Sequence, residues 1–275
     1  MKGKNRINAY RIGDALLRQT LRLIPYCSAA EQLALWWGYK FNPVPRAVRL
    51  RSGALIQLSH VDHLQLLLYY LGTFEPMALK AMKDHLRPGD TVLDVGANIG
   101  LFTIEAAKVV GPAGSVIAIE AMPGHAESLR KSAILNEMRG IEINSVAVGS
   151  AILTLPTGSN RGMFTLGKVV GDEKITVPVR RIDDIVGERR VDFLKMDIEG
   201  SEYQALLGAR RMIERQRPKI LIELNESALR AYGSSARQVK QLLFDFGYTG
   251  QIVGTASPVL LDQHHLCEEC LFLAV

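Results

Sequence analysis

Apolar and polar positions alternate along this chain with two different periods, and the change of period divides it. Residues 10–24 repeat apolar side chains every three to four positions, with Arg11, Arg18 and Arg22 spaced seven and four apart on one face, which predicts an amphipathic helix. Residues 29–41 (AAEQLALWWGYKF) predict a second helix, stopped by Asn42-Pro43 and Pro45. RAVRLRSGALIQLSH alternates on both sides of Ser52-Gly53, the pattern of a hairpin over about 46–59. HLQLLLYYLGTFEP reads as a short helix and a turn, and Pro76 opens a helix through PMALKAMKDHL.

From Thr91 short apolar runs take turns with amphipathic stretches. Strands are expected near 91–96, 115–120, 141–147, 191–197 and 218–224, with helices at 99–110, 124–137 and 201–215. Such alternation with short connections predicts an α/β fold, a parallel sheet covered by helices on both faces. Residues 150–180 break the rhythm with short strands and polar loops, among them GSNRGMF, whose Asn160, Arg161 and Met163 could touch a ligand or simply form a surface hairpin. The end reads as helix 234–247, strand 248–254 and a last strand LFLAV. Two units are therefore expected: a basic helical and hairpin appendage over 1–75, and an α/β domain over 76–275.

Charge sharpens that division. Lys2, Lys4, Arg6, Arg11, Arg18, Arg22, Lys40, Arg46, Arg49 and Arg51 face only Asp14 and Glu31 within the first 51 residues, although the whole chain carries just +5. A basic arm suits nucleic acid, an anionic membrane surface or an acidic partner, and equally a solvated helix face. No run reaches the roughly 18 apolar residues of a membrane span, and Asp14, Arg18 and Arg22 interrupt what would be a signal core. Three cysteines make no disulfide framework, so a cytoplasmic location is expected.

The candidate chemistry begins in TVLDVGANIGLFTIEAAKVVG, Thr91 to Gly111. Ligands of open parallel sheets bind beyond the carboxyl ends of the strands. There Gly96 and Gly100 permit a sharp turn and close approach, and the next helix aims its free N–H groups outward. Gly96-Ala97-Asn98-Ile99-Gly100 lacks the middle glycine of the dinucleotide fingerprint, which counts against a nicotinamide dehydrogenase, and it is not a P-loop. With Asp94 before the loop, a carboxylate is available for an ammonium group. Glu120, 24 residues after Gly96 in VIAIEAMPG, is an acid placed for two ribose hydroxyls. An amino acid joined to an adenosine is S-adenosylmethionine.

GTFEP (72–76), RPGDTVLDVGANIG (87–100), AIEAMPG, LNEM around Asn136, VPVRRIDDI (177–185), VDFLKMDIEGSE (191–202) and PKILIELN (218–225) follow one another in the order and spacing of a known family. From about Gly72 to the end the chain resembles the FkbM family of S-adenosylmethionine-dependent methyltransferases. The resemblance implies a class I, Rossmann-like methyltransferase fold with a seven-stranded sheet whose last strand is antiparallel. It also implies methyl transfer to oxygen, on a hydroxyl of a sugar, glycolipid or natural product. Carried over by motif, Asp94, Gly96, Asn98, Gly100 and Glu120 would form the cofactor site, with Ser145 and Ala147 near adenine.

For the reaction itself, VDFLKMDIEGSEYQALLGA puts Asp197 at the end of the fourth core strand. A hydroxyl acceptor must lose a proton, which a carboxylate can take. Asp197 and Glu199 are the leading candidates, with Glu202 and Glu223 nearby; Glu202 could equally serve a helix start. Asp197-Ile198-Glu199-Gly200 lacks the prolines common where bases are methylated on exocyclic amines, which disfavours a nucleic-acid methyltransferase recruited by the basic arm. A non-catalytic scaffold on the same fold would tolerate loss of the loop glycines or Glu120, and all are present. HHLCEEC offers His264, His265, Cys267 and Cys270, but residues three apart in a strand face opposite sides, so no metal site is expected.

Overall fold

The computed structural model describes residues 2–41, 46–149, 163–166, 175–255, 257–263 and 267–275. Its N-terminal part comprises α1 (Lys2–Leu23), α2 (Ser28–Phe41), β1 (Ala47–Arg49), β2 (Leu55–Gln57), α3 (His63–Leu71) and α4 (Pro76–His85). Next come β3 (Thr91–Val95), α5 (Leu101–Val110), β4 (Ser115–Ile119), α6 (Pro123–Leu135) and β5 (Ile141–Asn144). A side sheet is built from β6 (Ala147–Val148), β7 (Met163–Leu166) and β8 (Ile175–Arg180). The chain continues through α7 (Ile182–Val186), β9 (Phe193–Met196), α8 (Glu202–Gly208), α9 (Arg210–Gln216) and β10 (Lys219–Asn225). It ends with α10 (Glu226–Ala231), α11 (Ala236–Asp245), β11 (Tyr248–Ile252) and β12 (Cys267–Ala274).

The main sheet has the order β11-β12-β10-β9-β3-β4-β5. Only β12 runs against its neighbours; every other adjacent pair is parallel. This is the class I methyltransferase sheet. Period two along the strands sorts side chains onto two apolar layers. Val92, Val116, Ala118, Phe193, Leu221 and Leu271 join the layer of α3, α4 and α5. Leu93, Val95, Ile117, Leu194, Met196, Ile222 and Phe272 join the layer of α7, α8, α9 and α11.

Four expectations shift. The first helix starts at Lys2, because its polar first turns carry no apolar stripe to read. The expected strand 141–147 ends at Asn144, and Ala147 instead pairs with Val179 in the side sheet. The helix expected at 201–215 breaks at Ala209, next to Gly208, where a Cβ would lie 2.6 Å from Gly149 O. The last strand begins at Cys267, since the polar Cys-Glu-Glu pairs with β10 and hides its alternation. Cys267 and Cys270 then occupy opposite faces, so one metal cannot take both; His264 and His265, like Asn160 and Arg161, lie outside the described residues.

Several charges of the first 51 residues are built into the fold. Arg22 donates to Leu68 O and Tyr69 O, and Arg51 to Leu71 O, Leu21 O and Ile24 O, so two guanidinium groups cap the carbonyl ends of α3 and α1. Buried Asp14 accepts from both the Tyr69 and Tyr70 hydroxyls at 2.6 Å, tying α1 to α3. The hairpin is held by Ser132 of α6 and by Asn136 just past its end, whose side chains accept from Gln57 N and Leu55 N. Among the described residues no helix is long and apolar enough to cross a membrane.

Candidate functional site

Strand register decides which polar side chains meet. Asp94 pairs with Lys195, Lys195 with Leu221, and Glu223 with Glu269. Alternation therefore puts Asp94, Lys195, Asp197, Glu223, Glu269 and Glu120 on one face of the sheet, toward the carboxyl ends of its parallel strands. Glu75 meets the same face from the helix layer above it, as the residue before Pro76, with its backbone in the left-handed region (φ 47°).

The loop after β3 is shaped by the protein's own packing. Gly96 has φ 82°, and a Cβ there would lie 1.8 Å from Asp197 O. Gly100 has φ 101°, and its Cβ would meet Leu129 at 2.2 Å. Both glycines are thus required by the close approach of neighbouring protein atoms, beyond any need of a ligand. The amides of Gly96 and Ala97 both donate to Ile119 O, at 2.9 and 3.0 Å. Asn98, itself left-handed at φ 50°, donates its N–H to Glu120 Oε2, and Met122 N–H donates to Glu120 Oε1, both at 2.8 Å. One buried carboxylate therefore joins the loop after β3 to the start of α6, with two lone-pair positions left for a ligand. Ser145 lies one residue past β5, beside the strand end where Glu120 N–H donates to Asn144 O (3.0 Å). Ala147 has already crossed into the side sheet.

Behind the loop, Asp94 is fully buried. Its Oδ2 accepts from Thr103 Oγ1 at 2.5 Å, while Oδ1 has no hydrogen-bond partner among the described residues. Burial pushes its pKa up, against the pull of Lys195 and Thr103. An orphaned buried acceptor at the base of this loop fits the ammonium group of S-adenosylmethionine, and Glu120 fits its ribose.

The acids at the strand ends form a second group around Lys195. Its ammonium lies 3.5 Å from Asp197 Oδ2 and over the Phe102 ring at 4.7 Å. Burial alone would lower its pKa, but Asp197, Asp94, Glu75 and Glu269 outweigh that and hold it above the usual lysine value. One cation cannot balance so many carboxylates. Glu75 and Glu269 accordingly hydrogen-bond to each other, and burial together with Glu75 pushes Glu269 up to about 9. Glu223, raised by burial and by Asp197 to about 7, accepts from Cys267 Sγ at 3.3 Å.

Asp197 is half-exposed at the centre of this group, as its position at the end of β9 implies. Glu199 is exposed, with φ 51°, at the tip of the following turn. Glu202 is occupied by the backbone, accepting from Ile198 N (3.0 Å) and Gly200 N (3.0 and 3.1 Å). Lys195, Glu75 and Glu269 are the members that sequence reasoning overlooked. A lysine two residues before Asp197 in an otherwise apolar strand was the available signal for the first. At the rim, His60 from the β2–α3 connection stacks on His125 (5.4 Å, 8°), whose Nδ1 is 3.7 Å from Glu120 Oε1. Asp62 completes a trio of potential metal ligands, but one ion cannot lie in the planes of two parallel stacked imidazoles.

The profile of the methyltransferase FkbM domain matches residues 94–249, more than half of the chain, including the loop after β3, Glu120, Asp197 and Glu223. The chain belongs to the FkbM methyltransferase family. It is therefore a methyltransferase, and its cofactor is S-adenosylmethionine. Over 203 residues this FkbM-family protein is 28% identical to the 31-O-demethyl-FK506 methyltransferase FkbM of Streptomyces tacrolimicus, covering 61% of this chain and 76% of that one. Over 154 residues it is 27% identical to the methyltransferase sdnD of Sordaria araneosa, covering 42% of this chain and 59% of that one. Among solved structures it is similar to the methyltransferase FkbM of Methylobacillus flagellatus KT, with a TM-score of 0.44 and 19% identity over 95% of this chain and 59% of that one. It is also similar to an S-adenosylmethionine-dependent O-methyltransferase of Thermotoga maritima, with a TM-score of 0.48 and 12% identity over 87% and 81%.

Proposed function

We propose that this FkbM-family protein is an O-methyltransferase that acts in the cytoplasm on a hydroxyl of a small acceptor, such as a sugar, a glycolipid or a natural product. The cofactor supplies an electrophilic methyl group on a sulfonium. Glu120 binds the ribose hydroxyls, the Gly96–Gly100 loop with Asn98 and Asp94 receives the amino-acid end, and Ser145 and Ala147 border the adenine. Asp197 accepts the acceptor's proton, with Glu199 at the mouth. Glu223, whose carboxyl titrates at about 7, is a second acceptor for that proton near neutral pH. The observation that carries this reading is the convergence of Asp197, Glu223 and Glu269 on the sheet face shared with Glu120 and Asp94. Support for oxygen as the target comes from the Streptomyces relative, whose name specifies an O-demethyl substrate.

The test is transfer of labelled methyl to a panel of sugars, phenols and lipids, followed by Asp197→Asn. That variant should keep cofactor affinity within about tenfold, or ~1.4 kcal/mol, and lose about 100-fold or more in turnover. Full turnover by Asp197→Asn on the true acceptor would leave positioning as the main catalytic contribution.

A further inference from the structure

The N-terminal helical pair is apolar on its outer side as well as its inner one. On α2 the buried stripe is Ala30, Ala34 and Gly38, where a Cβ on Gly38 would strike Leu66 of α3 at 2.5 Å. Leu35 and Trp37 pack against the core, but two other large residues face outward: Trp36 is 57% exposed and Tyr39 56%. On α1, Ile12 (63%), Leu16 (58%) and Leu23 (86%) are exposed at spacings of four and seven, one face of the helix. Both helices pack on α3, with Gly13 of α1 against the Trp37 ring of α2, so the outward stripes belong to one layer. A helix that only covers a core turns its large apolar residues inward.

The charge along the sequence of α1 is also misplaced for stability alone. The first three turns of α1 carry Lys2, Lys4, Arg6 and Arg11 before any acid appears. Cations at a helix N-terminus oppose the macrodipole, so they weaken the isolated helix. A negative surface would reverse that penalty. Lys40 lies 4.9 Å over the Trp36 ring, the pairing of aromatic and cation found at a lipid–water boundary.

We infer that α1 and α2 form a docking surface for an anionic lipid bilayer, with α1 lying in the interface plane. Nucleic acid would also satisfy the positive charge. It would leave the exposed aliphatic stripe of Ile12, Leu16 and Leu23 uncovered, and the arginines best placed to grip phosphate, Arg22 and Arg51, are committed to backbone carbonyls. Lipid satisfies both the apolar stripe and the charge. The inference is independent of which acceptor is methylated.

The experiment is co-sedimentation of the full chain with phosphatidylcholine vesicles and with vesicles containing phosphatidylglycerol, across a salt series. Binding to the anionic vesicles is expected, weakening as salt rises. In a Trp37→Phe variant, the emission of Trp36 should shift to the blue and be quenched by brominated lipid. Leu16→Ser combined with Trp36→Ser should reduce partitioning by about tenfold or more, with S-adenosylmethionine affinity unchanged as the check on folding. Failure of the folded wild type to bind anionic vesicles would overturn the inference, as would binding undiminished in the double variant. Two further results would assign the layer elsewhere: a dimer that the double variant dissociates, meaning a second copy, or duplex or RNA binding that the same variant abolishes.

Discussion

Glu120→Ala tests the cofactor site most directly, because one carboxylate carries two separable duties. Its two oxygens accept from Asn98 N–H and Met122 N–H at 2.8 Å, and the carboxylate is buried. Each bond is charge-assisted, worth about 1.5–3 kcal/mol net when fully buried. Asn98 is only half-buried, so water replaces part of the loss and the variant should be destabilised by about 1–3 kcal/mol. The two remaining lone-pair positions are assigned to the ribose. Losing both should weaken S-adenosylmethionine by about 2 kcal/mol or more, roughly 30-fold. Glu120→Gln separates the duties. It keeps one acceptor for the loop but turns an NH2 toward the other backbone N–H, so it should fold more stably than the alanine variant and still bind poorly. Isothermal titration with S-adenosylmethionine, read beside a urea midpoint for each variant, gives both numbers. Unchanged affinity in folded Glu120→Ala would remove Glu120 from the ribose and leave it as a structural brace.

Two further outcomes follow from the packing and the charges. Asp14→Ala removes the acceptor shared by the Tyr69 and Tyr70 hydroxyls, although Arg46 still donates to Tyr69; a loss of about 2–4 kcal/mol is expected in urea unfolding, with a smaller loss for Asp14→Asn, and an undisturbed midpoint would mean that the α1–α3 tie is not formed. Glu269 is raised in the folded state to about 9 from an ordinary 4.5, so the folded protein binds the extra proton and stability falls as pH rises across that window; Glu269→Gln, which resembles the protonated form, should melt above wild type at about pH 8 and match it near pH 5, and parallel melting curves would refute the shared proton.

What could be read before the structure, and what could not, divides along a physical line. The strand–helix alternation and the glycine loop are local signals: β3 occupies Thr91–Val95 because five residues suited to a buried strand end in a glycine that can turn. Glu120 was legible for a similar reason, as an acid at a fixed distance along the next strand. The counter-charge was not. Asp94, Lys195 and Glu269 are separated by long stretches of chain and meet only through sheet register, and a shift of one residue in any strand would send its member to the opposite face. The same applies to β12, where Cys-Glu-Glu-Cys looks like a polar loop until its pairing with Ile222–Asn225 makes it a strand.

The first 51 residues show the reverse situation, in which composition pointed to a partner before the fold had been consulted. Ten basic residues against two acids suggest a charged arm, yet Arg22 and Arg51 end on carbonyls of α1 and α3, and Asp14 lies buried under two tyrosines. Charge that is already satisfied inside a protein cannot also attract a ligand. The count that matters for recognition is therefore smaller, and it is read beside the exposed Ile12, Leu16, Trp36 and Tyr39. Once those arginines are set aside, the balance moves from a phosphate-gripping arm toward an amphipathic one. Net charge is read from a list of residues, whereas the sign and polarity of a surface depend on which of them the backbone has already engaged.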